Sequence, residues 1–195
     1  IPEICTLRRK MHFGKRFRSE YFILENAFYI MAPGLYFPVT GIENIVKQYT
    51  AQDYLIDRRY RYFYLYFDRL ESSADFERLR DLVENIYTND YLNKQIVNWN
   101  QSLTAADGKS GLPQQLDFYS RFVRNNKERT VVIISDALRY EVGRTLFEKI
   151  QADEKCTATI SAMQAVLPSY TRFGMAALLP HKTIAVCPDL RVTID

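Results

Sequence analysis

The sequence has 195 residues, of which 47% are hydrophobic and 14% aromatic, and its formal net charge is +3 at pH 7. This composition supports a sizeable buried core in one or two domains and excludes a disordered chain. No apolar run approaches the ~20 residues that span a bilayer, and no signal-peptide pattern is present, so we expect no membrane segment.

Residues 1–125 have the pattern of a helical region. A helix is predicted over Arg16 to Ile30, ending near Pro33 and Gly34, with a short connection from Leu35 to Thr40. Its predicted apolar face is Phe17, Tyr21, Leu24 and Phe28. Residues 1–20 are rich in Lys and Arg, which is typical of a solvated helix face and less often of a contact with nucleic acid or an acidic partner.

The segment from Tyr54 to Leu70 interleaves aromatic residues with arginines, and Thr50 is its predicted N-cap. Such a pattern could clamp single-stranded nucleic acid. The alternative, packing into a helical bundle, is favoured because apolar residues recur at helical spacing. These residues are Phe63, Tyr66, Phe67 and Leu70, followed after a break by Phe76, Leu79, Val83 and Ile86.

From residue 126 the pattern changes to alternating strands and helices. Strands are predicted at 131–135, about 156–163 and about 183–187, and helices at 139 to about 152 and from about 171. Such alternation is typical of a mostly parallel sheet with helical crossovers. The predicted fold is therefore a helical region, 1–125, followed by the first strands of an α/β domain, 126–195. Val142, Leu146, Phe147 and Ile150 are predicted to lie on the sheet.

Asp136 directly follows the β-branched run Val131 to Ile134. The carboxyl ends of strands in open α/β sheets collect ligands and catalytic groups, so Asp136 is a candidate site residue. It could equally be the N-cap of the next helix.

A second candidate site is the segment Leu167 to Gly174, where Ser169 and Thr171 precede a predicted helix. Their hydroxyls could be ordinary N-caps, or could sit at a helix N-terminus that favours an anion. A carboxylate and a hydroxyl within ~10 Å of each other could hold one divalent metal, which would activate the hydroxyl for phosphoryl or sulfuryl transfer. We expect Asp136 and one of these two hydroxyls, of Ser169 or Thr171, to meet in this way at one edge of the sheet.

Three runs, at 131–141, 160–164 and 167–181, resemble the beginning of the PglZ domain of type A PglZ proteins, which belong to bacterial BREX phage-defence systems. That family is placed in the alkaline phosphatase superfamily. The resemblance implies an alkaline-phosphatase-like α/β sheet and a site with two divalent metals, usually zinc. It implies that Asp136 is a metal ligand and that Thr171 is both nucleophile and shared ligand.

The segment Pro168 to Thr171 is similar to the Pro-x-x-Thr turn of the phosphodiesterase branch, but Arg172 and Phe173 replace its usual Phe-Pro. This difference leaves the substrate class open and keeps Ser169 as the second choice of nucleophile. Arg172 could neutralise phosphate charge or simply be exposed.

Two histidines and three cysteines without metal-ligand spacing complete no zinc site. We interpret His12 and His181 as structural, and we expect reduced thiols in a cytoplasmic protein. The remaining metal ligands would lie beyond Asp195, so we expect a fragment that does not hydrolyse substrate alone.

The resemblance implies a metal-dependent hydrolase of phosphate esters, and its expected partners are other BREX proteins together with DNA or a phosphate-ester substrate. The alternative is a non-catalytic assembly or DNA-binding module of the same defence system.

Overall fold

The computed structural model describes residues 1–32 and 36–195. Pro33, Gly34 and Leu35 lie outside the described residues, and so does the predicted helix end at Pro33 and Gly34. The α-helices are α1 (Pro2–Lys10), α2 (Arg18–Ile30), α3 (Ile42–Gln48), α4 (Tyr54–Phe67), α5 (Glu77–Asn85), α6 (Asn93–Ala105), α7 (Tyr140–Gln151) and α8 (Thr171–Ala177). The strands are β1 (Ile184–Val186) and β2 (Val192–Ile194).

By its internal contacts the chain forms two compact units, Ile1–Gly108 and Lys109–Asp195. The first unit is entirely helical apart from its connections, as its sequence pattern predicts. The predicted boundary after residue 125 marks the start of the family domain. A division into compact units does not test that boundary, so it stays a prediction.

The core of the first unit is formed by α2, α4, α5 and the π-helical turn Ile86–Leu92. The predicted packing of α4 and α5 is confirmed, because Phe63 and Val83 are fully buried and the other predicted residues, Tyr66, Phe67, Leu70, Phe76, Leu79 and Ile86, pack against them. Each side chain of this size contributes about 1.5–3 kcal/mol when it is fully buried. The aromatic residues of α4 therefore pack into the core of the helical bundle.

The predicted apolar face of α2 is wrong. Ile23, Ala27 and Ile30 are buried, whereas Phe17, Leu24 and Phe28 are 37–44% exposed. Residues 23, 27 and 30 follow the same helical spacing on the neighbouring face, and the contact with α4 selects that face.

The predicted N-cap at Thr50 is also wrong. The π-helical turn Tyr49–Asp53 joins α3 to α4 without a break, so no helix begins at Thr50. The Thr50 hydroxyl instead donates to the carbonyl of Val46, one turn back (2.8 Å).

The tyrosines and arginines of α4 are engaged within the first unit. Tyr60 and Tyr64 both donate their hydroxyls to one carboxylate oxygen of Glu84, at 2.6 and 2.5 Å. Arg59 stacks over Tyr29 at 4.1 Å from the ring centroid and forms an ion pair with Glu25 at 3.6 Å. A carboxylate beside the tyrosine hydroxyls disfavours a phosphate there, so this surface favours the bundle interpretation over a nucleic-acid clamp.

The predicted parallel sheet is absent from the described part of the second unit, which corrects two of the three predicted strands. Residues 131–135 and 156–163 lie in no helix or strand, and Val131 and Ile133 are 76% and 87% exposed. An apolar run suits a strand that is covered on both faces. A strand also needs a neighbouring strand that completes its hydrogen bonds. The third prediction is confirmed by β1, which pairs with β2 in an antiparallel hairpin.

Helices α7 and α8 form where the sequence predicts them. The core of the second unit consists of Val166, Phe173 and Ala177, packed against Tyr170 and the hairpin. The predicted packing of α7 on a sheet is wrong, since no sheet lies under it and Leu146 is 50% exposed. Among the described residues no helix combines the length and the apolar character needed to cross a bilayer.

Candidate functional site

Asp136 lies in the turn that leads from the segment 131–135 into α7. Ala137 adopts a left-handed backbone conformation (φ 52°), and its N–H donates to Asp136 Oδ1 at 3.0 Å. The N-cap of α7 is Arg139, so the interpretation of Asp136 as a helix cap is wrong. Its carboxylate therefore remains available to a group outside its own turn.

Thr171 is the first residue of α8, after the N-cap Tyr170, and no side chain caps this helix. The interpretation of Ser169 or Thr171 as an ordinary N-cap is therefore wrong. Tyr170 accepts the N–H of Gly174 and donates its own N–H to Pro168, both at 3.0 Å. These backbone bonds hold the turn that presents Thr171.

The structure brings the two predicted site residues together. The Thr171 hydroxyl lies 3.4 Å from both Oδ1 and Oδ2 of Asp136, and both side chains are exposed. This distance is long for a hydrogen bond between two oxygens, so the direct interaction is weak. The contact forms between the turn before α7 and the first residue of α8, and not at the edge of a sheet.

The oxygen atoms of Asp136 and Thr171 fit a shared cation. Two oxygen ligands ~2.1 Å from a tetrahedral zinc ion are about 3.4 Å apart, which is the separation found here. A catalytic zinc ion needs three protein ligands. No group of three or more His, Cys, Asp or Glu residues suited to a metal occurs in the described ranges. Within the described ranges, the pair therefore does not form a complete zinc site.

The other residues singled out in the sequence lie apart from this pair. Ser169 and Arg172 are exposed, and no hydrogen bond links either side chain to Asp136 or Thr171. His181 Nδ1 bonds to the carbonyl of Leu179 at 2.7 Å. His181 also lines a cleft of about 500 Å³ with Arg124 and Lys182, whose lining does not include the pair.

A polar segment that the sequence did not single out supports the Thr171 turn. We call residues 110–115 the strap. The carboxamide of Gln115 donates to the carbonyl of Gly174 at 2.9 Å and accepts the N–H of Val166 at 3.1 Å. The sequence gives no signal for the strap, because its Gln and Ser residues follow no helical or strand period.

Comparison with known proteins identifies relatives of this chain. Residues 118–195 match the family model described as the BREX system PglZ alkaline phosphatase-like domain. Over 99% of its length the chain is 40% identical to the alkaline phosphatase-like protein PglZ of Bacillus cereus (strain H3081.97). Over 73% of its length it is 36% identical to the alkaline phosphatase-like protein BrxZ of Escherichia coli O9:H4 (strain HS).

The chain covers only a small part of these relatives, 24% of the Bacillus cereus protein and 18% of the Escherichia coli protein. No solved structure matches the chain.

Proposed function

Because residues 118–195 belong to the family of BREX system PglZ alkaline phosphatase-like domains, we propose that the intact protein is a metal-dependent hydrolase of phosphate esters in bacterial phage defence, with Thr171 as its nucleophile. The observation that carries this proposal is the 3.4 Å approach of the Thr171 hydroxyl to both carboxylate oxygens of Asp136. Ser169, the second choice, lacks such a carboxylate neighbour.

In the proposed reaction the Thr171 oxygen attacks phosphorus in line with the ester oxygen. The hydroxyl proton passes to a base, a new O–P bond forms, and the bond to the leaving alcohol breaks as that oxygen takes up a proton. Water then attacks the phosphothreonine, which releases phosphate and restores the hydroxyl. The side chain of Asp136, 3.4 Å from the hydroxyl, orients it for this attack.

Asp136 and Thr171 would be the residues of this chain that hold a divalent metal, with two zinc ions in the intact protein. When bound, such a metal lowers the pKa of the hydroxyl and offsets negative charge on the attacking and leaving oxygens. The remaining ligands would come from the rest of the protein.

We also propose that the segment 131–135 becomes a strand of an alkaline-phosphatase-like sheet in the intact protein. Its support is the exposure of three consecutive apolar residues, Val131, Val132 and Ile133, whose side chains would alternate between the two faces of a strand and therefore suit a strand that is covered on both faces. The relatives are about four times longer than this chain and have ample sequence for the neighbouring strands.

The deciding experiment compares Thr171→Val with Thr171→Ser in the intact protein, using a chromogenic phosphodiester and added zinc. Valine keeps the shape of threonine without the hydroxyl, so Thr171→Val should lose at least about 10³-fold in kcat. Thr171→Ser keeps the hydroxyl and should retain most of the rate. Thr183→Val, at an exposed threonine of the same unit, is the matched control. A wild-type rate for Thr171→Val would overturn the assignment of Thr171 as the nucleophile.

A second function, assembly with other defence proteins, is favoured by the surface of α1. Ile4, Leu7 and Met11 lie at helical spacing and are 55%, 57% and 40% exposed. Arg8 and Lys10 are exposed on the same helix. An apolar stripe beside positive charge is complementary to an acidic amphipathic segment of a partner protein.

A further inference from the structure

We propose that Gln115 is a positioning residue that holds the Thr171 turn in its reactive geometry. This inference rests on the proposed function, since it concerns the nucleophile of that reaction. Gln115 lies before residues 118–195, the range that matches the family model.

The carboxamide of Gln115 joins the two sides of the segment that carries Thr171. Its Oε1 accepts the N–H of Val166, which lies before the turn, and its Nε2 donates to the carbonyl of Gly174, which lies after it. One planar group therefore fixes the distance between the start and the end of this segment. Methionine, which has a similar length and no hydrogen-bonding atoms of this kind, could not do so.

The bond to Gly174 has a clear physical cause. In a helix of seven residues the last four carbonyls, from Gly174 to Ala177, lack ordinary partners within the helix. Met175 and Ala176 accept tighter bonds from Leu178 and Leu179, and the Gly174 carbonyl accepts Gln115.

The strap itself is anchored at a second point. Gln164 donates its backbone N–H to the carbonyl of Pro113 at 2.8 Å and accepts the N–H of Gln115 at 2.9 Å. Its side-chain oxygen accepts Ser110 Oγ at 2.5 Å and Gln114 Nε2 at 3.1 Å. Ser110 is 2% exposed, so these bonds are shielded from water. Gln115 is thus held by backbone bonds that a change of its side chain leaves intact.

Two substitutions separate the two halves of the carboxamide contact. Gln115→Met removes both bonds, whereas the carboxylate in Gln115→Glu can still accept the Val166 N–H but cannot donate to Gly174. A misplacement of ~1 Å can cost up to 10²-fold in rate, so both variants should lose ~10-fold or more in kcat, with KM within about 2-fold of wild type. The Val166 amide should exchange about 5-fold faster or more in Gln115→Met only.

The test measures kcat, KM and hydrogen exchange of the peptide containing Val166 in the intact protein, with the chromogenic phosphodiester and zinc. Gln151→Met, at an exposed glutamine of the same unit, is the control. A kcat for Gln115→Met equal to that of the control, while Thr171→Val is inactive, overturns the positioning role and leaves the proposed function standing. A raised KM with unchanged kcat overturns it too, because that pattern indicates binding or stability alone. A fully active Thr171→Val instead overturns the proposed function, and the positioning role falls with it.

Should Gln115→Met fail to fold, Gln115→Glu carries the same test. It removes only the bond to Gly174 and should still lower kcat by ~10-fold or more. A wild-type kcat in Gln115→Glu would then overturn the proposal.

Discussion

The hydroxyl of Thr171 is equidistant from the two carboxylate oxygens of Asp136, at 3.4 Å, although 35 residues separate them in the sequence. The turn before α7 and the first residue of α8 create this contact, so the pair is already in place among the described residues. A ligand arrangement held in this way needs little rearrangement to accept a cation.

Asp136 is expected to bind metal in the intact protein. Asp136→Asn should weaken zinc binding by ~10-fold or more, because a neutral amide oxygen is a poorer ligand than a carboxylate. Competition with a chromogenic chelator measures the affinity. Asp189→Asn, in the exposed β1–β2 hairpin, is the control. Equal zinc affinity in wild type and Asp136→Asn would refute the ligand assignment.

Phe63 is expected to be a main source of stability in the first unit, since its side chain is fully buried among α2, α4 and α5. Phe63→Ala should lower the free energy of unfolding by about 3–5 kcal/mol. Phe37→Ala, at a ring that is 71% exposed, should change it by less than about 0.5 kcal/mol. Urea unfolding followed by circular dichroism gives both values, and similar losses would contradict the assigned core.

Asp53 gives the first unit a specific pH dependence. Burial raises the pKa of this carboxyl above its ordinary value of 3.8. The hydrogen bond from Gln48 lowers the pKa by a smaller amount, and the charge of Asp57 adds to the rise. The folded state therefore binds the proton more tightly than the unfolded state, and this group's contribution to stability falls as pH rises from 3.8 through the raised pKa.

Asp53→Asn removes that titration and keeps an acceptor for Gln48. The stability advantage of Asp53→Asn over wild type should be largest near neutral pH and should shrink as pH falls toward 3.8. Urea unfolding of both proteins across this range measures it. A difference that does not change with pH would show that the Asp53 pKa is not raised.

The apolar stripe of α1 is expected to bind an acidic amphipathic peptide. Leu7→Ser and Ile4→Ser should each weaken binding by about 5- to 10-fold through lost apolar contact, and moderate salt should weaken it only modestly. Fluorescence anisotropy measures this, with Leu82→Ser on α5 as an exposed control. If the protein instead binds a DNA oligonucleotide tightly at low salt and loses this binding at moderate salt, the result would indicate phosphate contacts.

Helix positions could be predicted from the sequence because helical periodicity is a local property. The buried face of α2 could not, since apolar residues occupy two neighbouring faces and only the contact with α4 selects Ile23, Ala27 and Ile30. Likewise, the apolar run at 131–135 shows that these residues suit a buried strand. Whether they form one depends on neighbouring strands elsewhere in the chain, which the run itself does not reveal.

The candidate site was predictable in a different way. Their positions next to predicted strands and helices paired Asp136 with the hydroxyls of Ser169 and Thr171, whereas the choice of Thr171 and the roles of both residues came from the resemblance of short runs to a known family. Neither residue lies in a motif strong enough to decide its role from spacing. The role of Gln115 could not be predicted. Its side-chain bonds to Val166 and Gly174 depend on the tertiary fold, which local sequence patterns do not reveal.

The segment at 131–135 has one further consequence. Its backbone N–H and C=O groups have no partner among the described residues, and Val131 and Ile133 face outward. Such an open edge is a template for pairing with an identical segment of another molecule. Concentrated solutions of this 195-residue chain should therefore self-associate through intermolecular β-structure, and a lysine in place of Ile133 should keep the molecules apart.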